Sequence, residues 1–121
     1  MSVHSLRLQQ IGDLDKAGSH VYSSRVHFIG IGGVGMSALA EALLDTGAAV
    51  SGSERFLDQG RALPVLDVLR RQGARIHPQD GSGVAGDPTA VVASSAIEPD
   101  NPDLAAAAAR VAAHRRQHVV Q

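Results

Sequence analysis

Gly30, Gly32, Gly33 and Gly35 stand within six residues of one another, behind an apolar run of strand character (Val26, Phe28, Ile29, Ile31). The helical pattern they open meets no breaker before Gly47. A strand that turns through glycines into a helix brings backbone N–H groups and the positive end of the helix dipole to one point, which suits phosphate. Gly30 permits the tight turn off the strand, Gly32 lets a pyrophosphate approach without meeting a Cβ, and Gly35 lets the helix pack close to the sheet. Gly30, Gly32 and Gly35 satisfy G-x-G-x-x-G, and Glu54, at the end of the next strand, stands where a dinucleotide-binding domain holds a ribose. On these residues alone, an NAD(P)-binding domain of a dehydrogenase and a stand-alone nucleotide-binding module both remain open.

A second polar stretch, Ser94-Ser95-Ala96-Ile97, ends the apolar run Thr89–Ala93. The elements that must bring the two stretches together follow from periodicity. A first strand over about 25–30 leads into a helix over about 33–46, with Leu39, Ala42 and Leu43 on one face and Gly47 as its stop. A second strand over 48–53 closes on Glu54, and 56–60 reads as loop. A second helix over about 61–72 tolerates Pro64 in its first turn and carries the stripe Ala62, Val65, Leu66, Leu69. A short third strand (74–77) precedes a loop over 78–88 that is too rich in Gly and Pro for a stable helix. After the fourth strand (89–93), Asn101 as N-cap, Pro102 at the first helical position and Asp103 in the first turn open a third helix with the stripe Leu104, Ala107, Ala108, Val111. His118-Val119-Val120 has the character of a fifth strand.

This alternation predicts an α/β, Rossmann-like three-layer fold with a parallel five-stranded sheet in the order 3-2-1-4-5. The topological switch point then lies between the first and fourth strands. Its crevice is lined by Gly32–Ser37 on one side and Ser94–Ile97 on the other.

With 121 residues, one domain is expected: a weakly structured leader over 1–24 and a Rossmann-like unit over 25–121. Aromatics make up only 2% of the chain, so aliphatic residues must fill the core. A formal charge of −1 leaves no electrostatic footprint for nucleic acid, and no apolar run is long enough to span a membrane. Absence of cysteine excludes disulfides and thiolate metal sites and fits a cytoplasmic protein. His77, His114 and His118 lack metal-ligand spacing. The chain's one lysine is Lys16, and no Gly-Lys-Thr or Gly-Lys-Ser loop occurs. No paired carboxylates, nucleophile–base pair or metal cluster replaces it, so no catalytic residue, metal or cofactor is assigned within the chain.

Four stretches carry a family resemblance. His27 to Glu41 (His-Phe-Ile-Gly-Ile-Gly-Gly-Val-Gly-Met-Ser-Ala-Leu-Ala-Glu) resembles the opening of a Mur ligase N-terminal domain, closest to the ligases that join UDP-N-acetylmuramate to L-alanine or to a murein tripeptide. Ser51-Gly52-Ser53-Glu54 resembles the family's Ser-Gly-Ser-Asp, Ser94-Ser95-Ala96-Ile97 its Ser-Ser-Ala-Ile, and Asn101-Pro102-Asp103-Leu104 its Asn-Pro-Glu-Leu. The resemblance implies a UDP-N-acetylmuramic acid site in peptidoglycan biosynthesis. Gly30, Gly32, Gly33, Val34, Gly35, Met36 and Ser37 would cradle the diphosphate, while Ser53, Glu54, Ser94, Ser95, Ala96 and Ile97 would flank the nucleoside and sugar. It further implies a parent enzyme whose central domain brings ATP and Mg²⁺ and whose C-terminal domain completes an amide ligase. There an acyl phosphate forms on the sugar-linked carboxylate and an amine displaces the phosphate. Two positions depart from the pattern: Glu54 replaces the usual Asp, and Asp80-Gly81-Ser82-Gly83 occupies the region where relatives often carry a histidine near the nucleobase.

Overall fold

A computed structural model describes residues 3–7 and 24–119, with side chains over 24–113. Its elements are β1 (Val3–Arg7), β2 (Arg25–Ile29), α1 (Val34–Asp45), β3 (Ala49–Ser53), α2 (Arg55–Asp58), α3 (Pro64–Arg71), β4 (Arg75–His77), α4 (Ser82–Ala85), β5 (Ala90–Ser94) and α5 (Pro102–Val119). They form one sheet in the order β1-β5-β2-β3-β4. β2 lies parallel to both β3 and β5, and β3 parallel to β4. The four strands expected first are therefore all present, in the expected order 3-2-1-4, and the fold is α/β and Rossmann-like.

The fifth place differs. His118 and Val119 are not a strand but the end of α5, and Val120 lies outside the described residues. No Gly or Pro follows Pro102, so nothing in the chain stops the alanine-rich helix before that point. The outer edge of β5 is instead closed by β1, which runs antiparallel with Val3 opposite Ser94 and Arg7 opposite Ala90. An uncovered β5 would present a row of unpaired backbone groups, and β1 pairs them. Thus Val3–Arg7, within the stretch expected to be a weakly structured leader, belongs to the sheet.

Alternation along the strands sorts side chains to two faces. Val26, Phe28, Val50 and Val92 pack against Met36 and Ala40 of α1 and Leu66 and Leu69 of α3. On the other face Ile29, Val91 and Ala93 pack with Val84 of α4 and Ala107 of α5. Two segments expected as loop contain single helical turns. α2 is capped by Glu54, and α4 exists because Val84, fully buried, anchors it in spite of its glycines. The third stripe is also displaced: Asp103 and Ala107 are buried while Ala108 is exposed.

Candidate functional site

The glycine turn is held by the strand beside it. The N–H groups of Gly30 and Ile31 both donate to the Ser53 carbonyl, at 2.9 and 3.0 Å. Gly30 has φ +83°, a left-handed conformation that glycine alone adopts without strain, which agrees with its expected role in the turn. Gly52 makes room for Ile31: a Cβ there would come within 2.6 Å of the Ile31 Cδ1, so its absence lets Ile31 fold down onto the sheet.

Gly32 is tight against its own fold. Its N–H donates to Glu54 Oε1 at 2.8 Å, and a Cβ on Gly32 would lie 2.7 Å from that oxygen. The neighbour it must accommodate in this structure is Glu54, buried at 6% exposure, whose Oε2 also accepts the N–H of Phe56 at 3.3 Å. Gly35 does not pack against the sheet at all, since a Cβ there would meet nothing within 4 Å. The expectation that it lets α1 approach the sheet is corrected: Met36 and Ala40 are the buried positions that face it.

Among the loop donors, the N–H of Gly33 is taken by the Gly30 carbonyl (3.2 Å) and that of Ser37 by the Gly33 carbonyl (2.7 Å). The Ser37 hydroxyl is buried and donates to the Val34 carbonyl at 3.1 Å. Val34, Gly35 and Met36 are the first three helical residues, whose N–H groups have no carbonyl one turn back to accept them. They point out of the helix N-terminus, and Val34 is 87% exposed beside them.

Across the switch point, the turn after β5 is closed by the Ile97 N–H on the Ser94 carbonyl (3.2 Å) and by the Ala96 N–H on the Ser94 Oγ (3.3 Å). It reaches the glycine turn directly, with Ile97 Cδ1 3.3 Å from where a Gly30 Cβ would stand. A cavity of about 260 Å³ opens between the turns, and its wall includes Gly30, Gly32, Gly33, Glu54, Ser94, Ala96 and Ile97. Val34, Gly35, Met36, Ser37, Ser53 and Ser95 are not in that wall. Ser53 is fully buried beneath it.

Arg55, Phe56, Leu63, Gln79, Glu98 and Asn101 complete the wall, and none of them is marked as a site residue by the sequence. Arg55 and Glu98 pair across it at 2.9 Å, both more than half exposed. Gln79 sits in a Gly/Pro-rich loop and Asn101 reads as a helix cap. Only long-range pairing brings either to the cavity, and no local signal marks it. A second cavity, about 410 Å³ and lined by Arg25, Ala49, Arg75, His77 and Gly83 among others, lies toward the opposite strand ends.

Beneath the wall lies a buried polar network. His27 and Asp103 are both fully buried, and His27 Nε2 meets Asp103 Oδ2 at 2.8 Å. Burial by itself would raise the Asp103 carboxyl. Hydrogen bonds from His27, Ser53 and the Gly81 N–H outweigh it and hold that carboxyl below its ordinary value. Asp80, fully exposed, is also lowered, by hydrogen bonds from Ser82.

Among the described residues no group of three His, Cys, Asp or Glu side chains is placed to hold a metal ion. Lys16 lies outside them. No phosphoryl-transfer step is derived from the residues around the cavity. Among the described residues no helix is long and apolar enough to cross a membrane.

Comparison with known proteins agrees with this geometry. The model of the Mur ligase family, catalytic domain, matches residues 25–121. UDP-N-acetylmuramate–L-alanine ligase of Paenarthrobacter aurescens (strain TC1) is 51% identical over 83 residues, which is 69% of this chain and 17% of that protein. The enzyme of the same name from Thermobifida fusca (strain YX) is 43% identical over 98 residues, 81% of this chain and 18% of that protein. That of Aquifex aeolicus (strain VF5) is 42% identical over 80 residues, 66% of this chain and 16% of that protein. The chain thus spans less than a fifth of the length of the curated relatives it matches. With the family model covering every element from β2 to α5, the chain belongs to the Mur ligase family.

Proposed function

We propose that this chain binds UDP-N-acetylmuramic acid or a closely related UDP-sugar, as the substrate-binding part of an amide-forming ligase of peptidoglycan synthesis. The observation that carries it is the meeting of the Gly30–Gly33 and Ser94–Ile97 turns at one cavity, at the carboxyl ends of β2 and β5. A ligand at such a switch point places its anionic group against the helix N-terminus. Here the free donors of Val34, Gly35 and Met36 would take the diphosphate. The Ala96–Ile97 side, with Gln79 and Asn101, would take the nucleoside or sugar. The relatives' names supply the substrate class, and their greater length supplies the rest of the activity: ATP and its Mg²⁺ would be held by domains of a parent enzyme, in the cytoplasm.

A dinucleotide fits less well. Its ribose needs the acid at the end of the second strand, and Glu54, only 6% exposed, is a structural tie between the Gly32 and Phe56 N–H groups rather than an open acceptor. Calorimetric titration of the 121-residue chain with UDP-N-acetylmuramic acid, UDP and NAD tests the proposal. Heat with the UDP ligands and none with NAD is expected; binding of NAD without UDP would overturn it.

A further inference from the structure

The polar network under the cavity has one polarity from end to end. Asn101 Oδ1 accepts the N–H groups of Asp103 (2.9 Å) and Leu104 (3.2 Å), which commits its carbonyl to the start of α5. Its amide nitrogen must then face Gln79, and Nδ2 donates to Gln79 Oε1 at 2.7 Å. With its oxygen so used, Gln79 turns Nε2 to Ser53 Oγ, at 3.0 Å. Ser53 in turn donates its hydroxyl hydrogen to Asp103 Oδ2 at 2.6 Å. An ionised carboxylate can only accept, so the chain of commitments ends there without conflict.

Asp103 is held from two further directions. His27 Nε2 lies 2.8 Å from Oδ2, the Gly81 N–H donates to Oδ1 at 2.7 Å, and His27 is itself fixed by Ser51 Oγ, 2.8 Å from Nδ1. Two ionisable side chains without solvent exposure are more than a helix cap requires, since Asn101 already caps α5. What they add is direction: reversing the Ser53 hydroxyl would set two acceptors against each other in a buried site, at a cost that holds the relay one way.

The far end of the relay is the cavity wall. Gln79 and Asn101 both line it, and after their internal bonds Gln79 keeps one N–H and one carbonyl lone pair, and Asn101 one N–H. We propose that His27 and Asp103 are a positioning pair for this cavity: through Ser53 they fix which way the Gln79 and Asn101 amides face, so that the wall recognises a neutral planar group carrying a carbonyl beside an N–H. This rests on the UDP-sugar proposal for what enters the cavity. The amide-bearing part of the ligand is what the pair selects.

The test uses the 121-residue chain and the variants Ser53→Ala and Asp103→Asn, with Ser53→Ala removing one hydroxyl and leaving the His27–Asp103 contact in place. Side-chain NH₂ resonances of Gln79 and Asn101 report their hydrogen bonding directly, and titrations with UDP-N-acetylmuramic acid and with inorganic pyrophosphate report binding. In the parent chain each amide should show one proton shifted by its hydrogen bond, and in both variants the Gln79 pattern should collapse. Affinity for the UDP-sugar should fall about tenfold, as for loss of one well-made polar contact, with pyrophosphate binding unchanged. A folded Ser53→Ala chain with the Gln79 signals and UDP-sugar affinity of the parent overturns the positioning role. If Asp103→Asn does not fold, Ser53→Ala decides alone. If the parent chain binds neither probe, the proposed function fails, and the amide resonances still decide the role of His27 and Asp103.

Discussion

Glu54 Oε1 accepts the N–H of Gly32 at 2.8 Å, joining the residue after β3 to the middle of the turn after β2. The other oxygen of the same carboxylate caps α2 through the Phe56 N–H. One buried side chain therefore ties the glycine turn to the next strand and starts the following helix. Glu54→Ala leaves two backbone donors without this partner and should lower stability by about 1–3 kcal/mol. Gly32→Ala should be destabilising on its own because its Cβ would meet that carboxylate, yet lose most of its penalty in the Glu54→Ala background. Thermal or urea denaturation of the four members of this cycle measures the coupling, about 1 kcal/mol or more in favour of the double variant. Additive effects would mean that Gly32 is constrained by something other than Glu54.

Gly35 should behave in the opposite way. With open space where its Cβ would stand and a helical position in α1, Gly35→Ala should fold normally and gain a few tenths to about 1 kcal/mol. A clear loss in the denaturation midpoint would restore a packing role for this glycine.

How far the residues announced these relationships depended on the range of the interaction. The first four strands, their order and the Asn101 cap were legible because periodicity, stop signals and cap chemistry act within a few residues. Glu54 could be placed at the end of a strand, but its partner lies 22 residues away, and only the folded sheet brings them together. Asp103 reads as an ordinary first-turn acid suited to the helix dipole. Its burial against His27, 76 residues distant, follows from how α5 sits on the sheet. The fifth strand failed for the same reason: the place beside β5 is taken by β1, from the start of the chain, and the alanine-rich stretch after Pro102 meets no breaker and continues as helix to Val119.

Asp103 should leave a signature in acid. Its carboxyl titrates lower in the folded chain than in the unfolded one, so the stability it contributes is fully present above the unfolded value, about 3.9, and is lost as pH falls through the folded value. The stability difference between the parent chain and Asp103→Asn should thus shrink as pH falls below about 4. Urea unfolding at a series of pH values checks it. A difference that stays level to the lowest pH at which the chain folds would show that the carboxylate is not held in its charged form by His27, Ser53 and Gly81.

The 121-residue chain by itself should neither hydrolyse ATP nor form an amide bond. Its glycine turn supplies backbone donors only, and no lysine follows it to hold a β- or γ-phosphate. Incubation with ATP, Mg²⁺, UDP-N-acetylmuramic acid and L-alanine should release no phosphate above a Gly32→Val control. Release above that control would mean that the chain holds a catalytic site of its own.

The central claim is that a UDP-sugar lies between the glycine turn and the turn after β5, and backbone amide resonances followed through a titration with UDP-N-acetylmuramic acid test it most directly. Saturable shifts are expected at Val34, Gly35 and Met36, where the free helix donors are, together with Ala96 and Ile97 across the cavity. Shifts confined to Arg25, Arg75, His77 and Gly83, around the second cavity, would contradict it.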